Sequence, residues 1–208
     1  MLSEGRTGLI SAADGTVNPL RLDGTGALTM VAAHALYVEA VLKGNMFIVC
    51  SQAGVTSQAG LSATTPVLTL YNPLGSGING ILVYAGCVIT VAAATCGAVW
   101  LAANTVTQSA AVTGTLSTTM RNCLLGGKSP TLTPLLAATL PAAPVAIALL
   151  GTLQTGAVTV QIQTVPMGRY FDGSVIVSPG TAISIQTGVA TGASGLFCEY
   201  VWEEIAII

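Results

Sequence analysis

The chain has 208 residues, enough for one domain with an arm, and only 7% of them are charged, against the roughly 25% usual for soluble domains. Six Lys and Arg stand against eight Asp and Glu, a net charge of −2, so there is no cationic stripe to track a phosphate backbone, and nucleic acid is excluded as a partner. A lone soluble monomer with so few charges has little to keep it from associating, which points to surfaces covered in use by protein subunits or by a membrane.

Residues 1–27 are punctuated by Gly5, Asp14-Gly15, Asn18-Pro19 and Asp23-Gly24 and read as an irregular arm preceding a domain over 28–208. Such a segment buries little by itself and orders only when docked, on its own domain or on a neighbour. Met1 to Ile10 carries Glu4 and Arg6 and no apolar run of the kind a signal peptide needs. Residues 32–43 suit a short helix stopped at Gly44-Asn45, or equally a strand through Tyr37 and Val38. Met46 to Cys50 is a continuous apolar run, as expected of a strand buried on both faces.

Val67 to Tyr71 is a strand ending in the turn formers Asn72-Pro73-Leu74-Gly75-Ser76-Gly77. Ile81 to Thr90 and Ala98 to Thr107 are the next strands. The uncharged run Ile81 to Ala103 is long enough to span a bilayer. Its β-branched residues, interrupted by Gly86, Thr90, Thr95 and Gly97, favour two strands and a turn, and Pro141 and Pro144 shorten the second apolar stretch, Leu135 to Leu150. The nearest flanking cations are Lys43 and Arg121, so no membrane span is expected.

Residues 108–134 read as a long excursion between strands, and the Ala-, Thr- and Leu-rich segment that follows leaves the fold of 108–156 open. Val158, Val160 and Ile162 alternate with Thr159, Gln161 and Gln163, as on a half-buried strand. Asp172-Gly173 is a turn pair ahead of Val175 to Val177, which meets the turn Ser178-Pro179-Gly180. Ile183 and Ile185 alternate with Ser184 and Gln186. Leu196, Cys198, Tyr200 and Trp202 alternate with Phe197, Glu199, Val201 and Glu203. Strands at this spacing, joined by Gly and Pro turns, predict an all-β antiparallel sandwich, jelly-roll-like in its connections.

No residue set predicts catalysis, a cofactor or a metal. His34 is the single histidine, and Glu39, five residues on, is off its helical face, so the base–carboxylate pair that activates a nucleophile is lacking, as is a G-x-S-x-G elbow. Gly75-Ser76-Gly77-Ile78-Asn79-Gly80 lacks the Lys and following helix of a phosphate loop and reads as a turn. Glu199, Glu203 and Glu204 read as a solvated edge face near the end of the last strand, with Glu204 pointing opposite to the other two. The odd cysteines Cys50, Cys87, Cys96, Cys123 and Cys198 lack metal-ligand spacing and read as reduced, buried apolar residues, in keeping with assembly in a host cytoplasm. Trp100 and Trp202 read as core or interface anchors.

Tyr37-Val38-Glu39-Ala40-Val41-Leu42-Lys43-Gly44-Asn45-Met46-Phe47, Leu70-Tyr71-Asn72-Pro73-Leu74-Gly75-Ser76-Gly77, Ser178-Pro179-Gly180-Thr181-Ala182-Ile183 and Tyr200-Val201-Trp202-Glu203-Glu204 together resemble a family of tailed-bacteriophage β-sandwich structural proteins, the head decoration, cement or fibre-like kind. The resemblance implies a non-enzymatic virion protein on the capsid exterior, a homotrimer, partnered by the major capsid protein. It supplies no site residues. Two alternatives remain open: a receptor- or glycan-binding fibre module, for which Arg169-Tyr170-Phe171-Asp172 is the suitable segment, and a major shell-forming coat protein.

Overall fold

The structure is a computed structural model and describes residues 35–89, 97–104, 111–153, 167–190 and 195–207. The chain divides into two units, Met1–Glu39 and Ala40–Ile208. The expected arm over 1–27, His34, Cys96 and the alternating segment at 158–163 all lie outside the described residues.

Of the two readings of residues 32–43, the helical one holds: α1 spans Val38–Leu42. Gly44 (φ +69°) ends it, donating its N–H to Val41 O at 2.8 Å, while Asn45 N donates to Ala40 O at 3.0 Å. This is the two-bond closure that a glycine after a helix makes without steric cost.

Eleven strands follow among the described residues. They are β1 (Met46–Cys50), β2 (Leu68–Tyr71), β3 (Ile78–Ile89), β4 (Gly97–Asn104), β5 (Thr113–Leu116), β6 (Arg121–Asn122), β7 (Thr133–Thr139), β8 (Val145–Leu153), β9 (Met167–Val177), β10 (Ala182–Thr187) and β11 (Leu196–Ala206). They form two wholly antiparallel sheets, ordered β6-β1-β11-β3-β9 and β5-β7-β2-β10-β4-β8. The protein is thus an all-β antiparallel sandwich. Residues 108–134, expected to be an excursion, contain the short strands β5 and β6, each extending one sheet at its margin. Within 131–156, β7 pairs with β2, and β8 pairs with β4.

The core lies between the sheets. Phe47, Leu82, Tyr200 and Trp202 from the first sheet meet Leu68, Leu70, Leu101 and Ile185 from the second, all fully buried. Trp202 stacks on Phe47 with ring centroids 5.8 Å apart. Tyr200 crosses between the sheets, its hydroxyl donating to Leu68 O at 3.0 Å, so a buried phenol is satisfied at the centre of the sandwich. Burying these side chains stabilises the fold by about 1.5–3 kcal/mol each.

Strand β11 follows the predicted alternation: Leu196, Cys198, Tyr200 and Trp202 face the core while Phe197, Glu199, Val201 and Glu203 are half-buried on the other side. Strand β10 alternates as expected but has no solvated face, since all six of its residues are buried. The segment between β1 and β2 covers its polar side: Gln186 Nε2 donates to Ser62 O at 3.1 Å, Thr187 Oγ1 donates to Gln58 O at 3.1 Å, and Gly60 N donates to Thr187 O at 2.9 Å. Alternation reveals which side chains share a face, but not what chain lies over that face.

Candidate interaction surface

The residues singled out in the sequence scatter through the sandwich. Glu39 is exposed on α1. The glycine-rich segment after β2 is a turn organised by Asn72, which is buried: its Nδ2 donates to Ile78 O (2.7 Å) and Val177 O (2.8 Å), and its Oδ1 accepts from Ser76 Oγ at 2.6 Å. Gly75 and Gly77 take φ of +78° and +70°, which explains glycine at both positions.

The carboxylates do not form a solvated edge face. Strand β11 is the central strand of its sheet, and Glu204 is buried. Its carboxylate accepts from the N–H groups of Thr131 (2.8 and 3.0 Å) and Leu132 (2.8 Å), and from Trp202 Nε1 at 3.3 Å. Glu204 therefore ties the chain entering β7 to the central strand, and these donors stabilise the buried carboxylate. Glu199 and Glu203 share the opposite face, as expected. Burial pushes the Glu203 carboxyl up, and the Lys43 ammonium partly offsets this.

Asp172-Gly173 lies inside β9 rather than ahead of a strand. Asp172 (φ +46°) and Gly173 (φ +87°) sit where the partner positions jump from Leu82↔Val175 to Tyr84↔Tyr170, so β9 bulges outward there. Tyr170 is 68% exposed, with its ring centroid 4.8 Å from that of Tyr84; Phe171 turns into the core, and the Arg169 guanidinium lies 5.5 Å from the Phe171 centroid.

The four described cysteines are free but not uniformly buried. Cys87 and Cys198 are buried as cross-strand partners, Cys123 is half-buried, and Cys50 is exposed at the end of β1. Burial pushes the Cys198 thiol well up, and its hydrogen bond with Cys87 adds to the effect. Among the described residues, no three His, Cys, Asp or Glu side chains gather as metal ligands do, and no helix is long and apolar enough to cross a membrane.

The two tryptophans separate. Trp202 is core, whereas Trp100 is half-buried on the outer side of β4, opposite Leu149 of β8. Strand β8 ends its sheet among the described strands. Its pairing with β4 slips at two points, making Ile147 and Leu150 the extra residues of two bulges. Val145, Ile147 and Leu149 stand 57%, 42% and 65% exposed along this edge strand, Val145 opposite Ala103 and Leu149 opposite Trp100, with no ionisable residue in the strand. Beside them a groove of about 390 Å³ opens between Ile147 and the β9 residues Val175 and Ile176, floored by Ala103 and Ile183.

No local motif in the sequence marks this surface. Its available signal was the uncharged run Val145 to Leu150, which alone does not distinguish a core strand from a covered one. Comparison of the chain with protein-family models, with curated proteins and with solved structures gives no match in any of the three.

Proposed function

We propose that the chain is a structural protein of a tailed-phage virion, decorating or cementing the capsid exterior through contacts with copies of itself, as a homotrimer, and with the major capsid protein. The observation that carries this reading is the row Val145, Ile147 and Leu149 beside half-buried Trp100, in a chain whose charged residues make up only 7% of the total. None of these side chains belongs to the core of the sandwich, so the part of their apolar surface left exposed gains nothing from folding. Covered by a neighbour, each Å² contributes about 25 cal/mol, and a stable interface buries about 1,200–2,000 Å². Tryptophan is the residue type most often found at the energetic centre of such contacts. The two bulges on β8 disfavour simple edge-to-edge strand addition, which leaves side-chain packing as the mode of contact.

The strand order supports a jelly roll within the sandwich: β1-β11-β3-β9 lies against β2-β10-β4-β8, with β5 to β7 inserted between β4 and β8. This double-sheet architecture is shared by viral capsid proteins, lectins and cupins, so it supports the reading by analogy of fold alone. The test is to add the purified full chain to capsids of the same phage that lack it, and to image the particles. Symmetric decoration that is lost with Ile147→Lys and Leu149→Lys together is expected. Absent decoration, or decoration indifferent to both lysines, would contradict the proposal.

A second reading, a glycan- or receptor-binding fibre module, is favoured by exposed Tyr170 tilted against Tyr84, since an exposed aromatic is a stacking platform. Binding to a glycan array that disappears with Tyr170→Ala would select it. Spontaneous closure of the purified chain into shells would select a major coat protein instead.

A further inference from the structure

The turn between β6 and β7 carries a second feature, independent of the apolar row. Asn122 of β6 is buried and fixes this turn from inside: its Nδ2 donates to Gly44 O (2.8 Å) and Lys128 O (3.1 Å), and its Oδ1 accepts from Leu124 N (2.8 Å). Gly127 N donates to Leu124 O at 2.8 Å, and Gly126 takes φ +88°. The loop encloses a cavity of about 370 Å³, at the small end of the range for organic ligands. Thr118, Arg121, Lys128 and Ser129 supply its polar wall, and Met120 and Leu125 its apolar wall.

Both cations are held by neutral acceptors. Arg121 Nη1 donates to Met120 O (2.7 Å) and Thr118 O (2.9 Å), and Lys128 Nζ donates to Asn45 Oδ1 at 3.2 Å. Among the described residues no carboxylate pairs with either one. Lys43 differs, because its charge acts on Glu203. Two of the chain's six cations thus share one cavity, oriented in advance and lacking a counter-charge among the described residues. Donors already fixed in position lose little entropy when an anion enters.

We propose that this cavity binds an oxyanion, a carboxylate or phosphate monoester, carried on a small apolar body. The anionic oxygens take the remaining guanidinium N–H groups, the Lys128 ammonium and the Ser129 and Thr118 hydroxyls, while the apolar part lies against Met120 and Leu125. The proposal stands apart from the docking reading, and the failure of either leaves the other intact.

The test is titration of the full chain with glutarate and, separately, with phenyl phosphate, following amide and arginine side-chain NMR shifts. Saturable shifts confined to Arg121, Gly126, Gly127 and Lys128 are expected. They should weaken about tenfold or more in Arg121→Gln/Lys128→Gln, whose spectrum elsewhere is unchanged because both side chains are exposed. A response to glutarate alone assigns a carboxylate, to phenyl phosphate alone a phosphate monoester, and to both a general oxyanion site. No localised shift with either probe, or equal binding by the double variant, overturns the proposal.

Discussion

Strands β11 and β8 are both rich in apolar side chains, yet they use them in opposite ways. On β11 the large residues Leu196, Tyr200 and Trp202 are fully buried, and the acidic residues are either half-buried outside or, for Glu204, buried and saturated with donors. On β8 there is no acidic residue, and three large apolar side chains stand exposed along the sheet edge. Folding of one chain explains β11 from Leu196 to Glu204, leaving only Ile205 near its end exposed among the large apolar side chains. It does not explain the exposed apolar surface of Val145, Ile147 and Leu149, and that difference is why we propose β8 as a surface that meets another chain.

The contrast breaks most severely at Trp202. Trp202→Ala removes the ring stacked on Phe47 and one donor to Glu204, and should cost about 3–5 kcal/mol, read as a lower urea midpoint. Glu204→Ala leaves the Thr131 and Leu132 N–H groups without their acceptor and should cost about 3 kcal/mol by the same measurement. The combined variant should lose less than the sum, because Trp202 and Glu204 share a hydrogen bond.

Smaller changes sharpen the contrast. Tyr200→Phe keeps the ring but deprives Leu68 O of its donor across the sheets, a loss of about 1 kcal/mol. Glu203 is predicted to act through pH. Its carboxyl is raised in the fold, so the unfolded chain ionises first as pH increases, and stability falls across the interval from the ordinary carboxylate range to the raised value. Glu203→Gln should remove that small fall, visible as a flatter melting temperature against pH over the same interval.

How much of this was legible in the sequence depended on whether a pattern was local. The alternation of β11, the helix stop at Gly44-Asn45 and the turn after Tyr71 each follow from residues a few positions apart, and the structure has them. The burial of Glu204 was not legible, because its donors come from Thr131 and Leu132, over seventy residues away in the chain. The covered polar face of β10 and the bulge at Asp172-Gly173 likewise depend on partner segments distant in sequence. The oxyanion cavity was hidden for the same reason, since the cations Arg121 and Lys128 meet only through a turn fixed by Asn122 and by Asn45 from another part of the chain. Low charge content raised the expectation of covered surfaces without indicating which strands would carry them.

The central claim is that the β8 row is covered by another protein subunit. The most direct measurement is the mass of the purified full chain by sedimentation, beside the Ile147→Lys/Leu149→Lys variant. The account predicts an oligomer of three chains for the natural sequence and a single chain for the variant. The variant's far-UV circular dichroism should be unchanged and its stability shifted by no more than about 0.5 kcal/mol per site, as befits exposed positions. A natural chain that sediments as a monomer and binds no capsid, or a variant that still assembles, would contradict it.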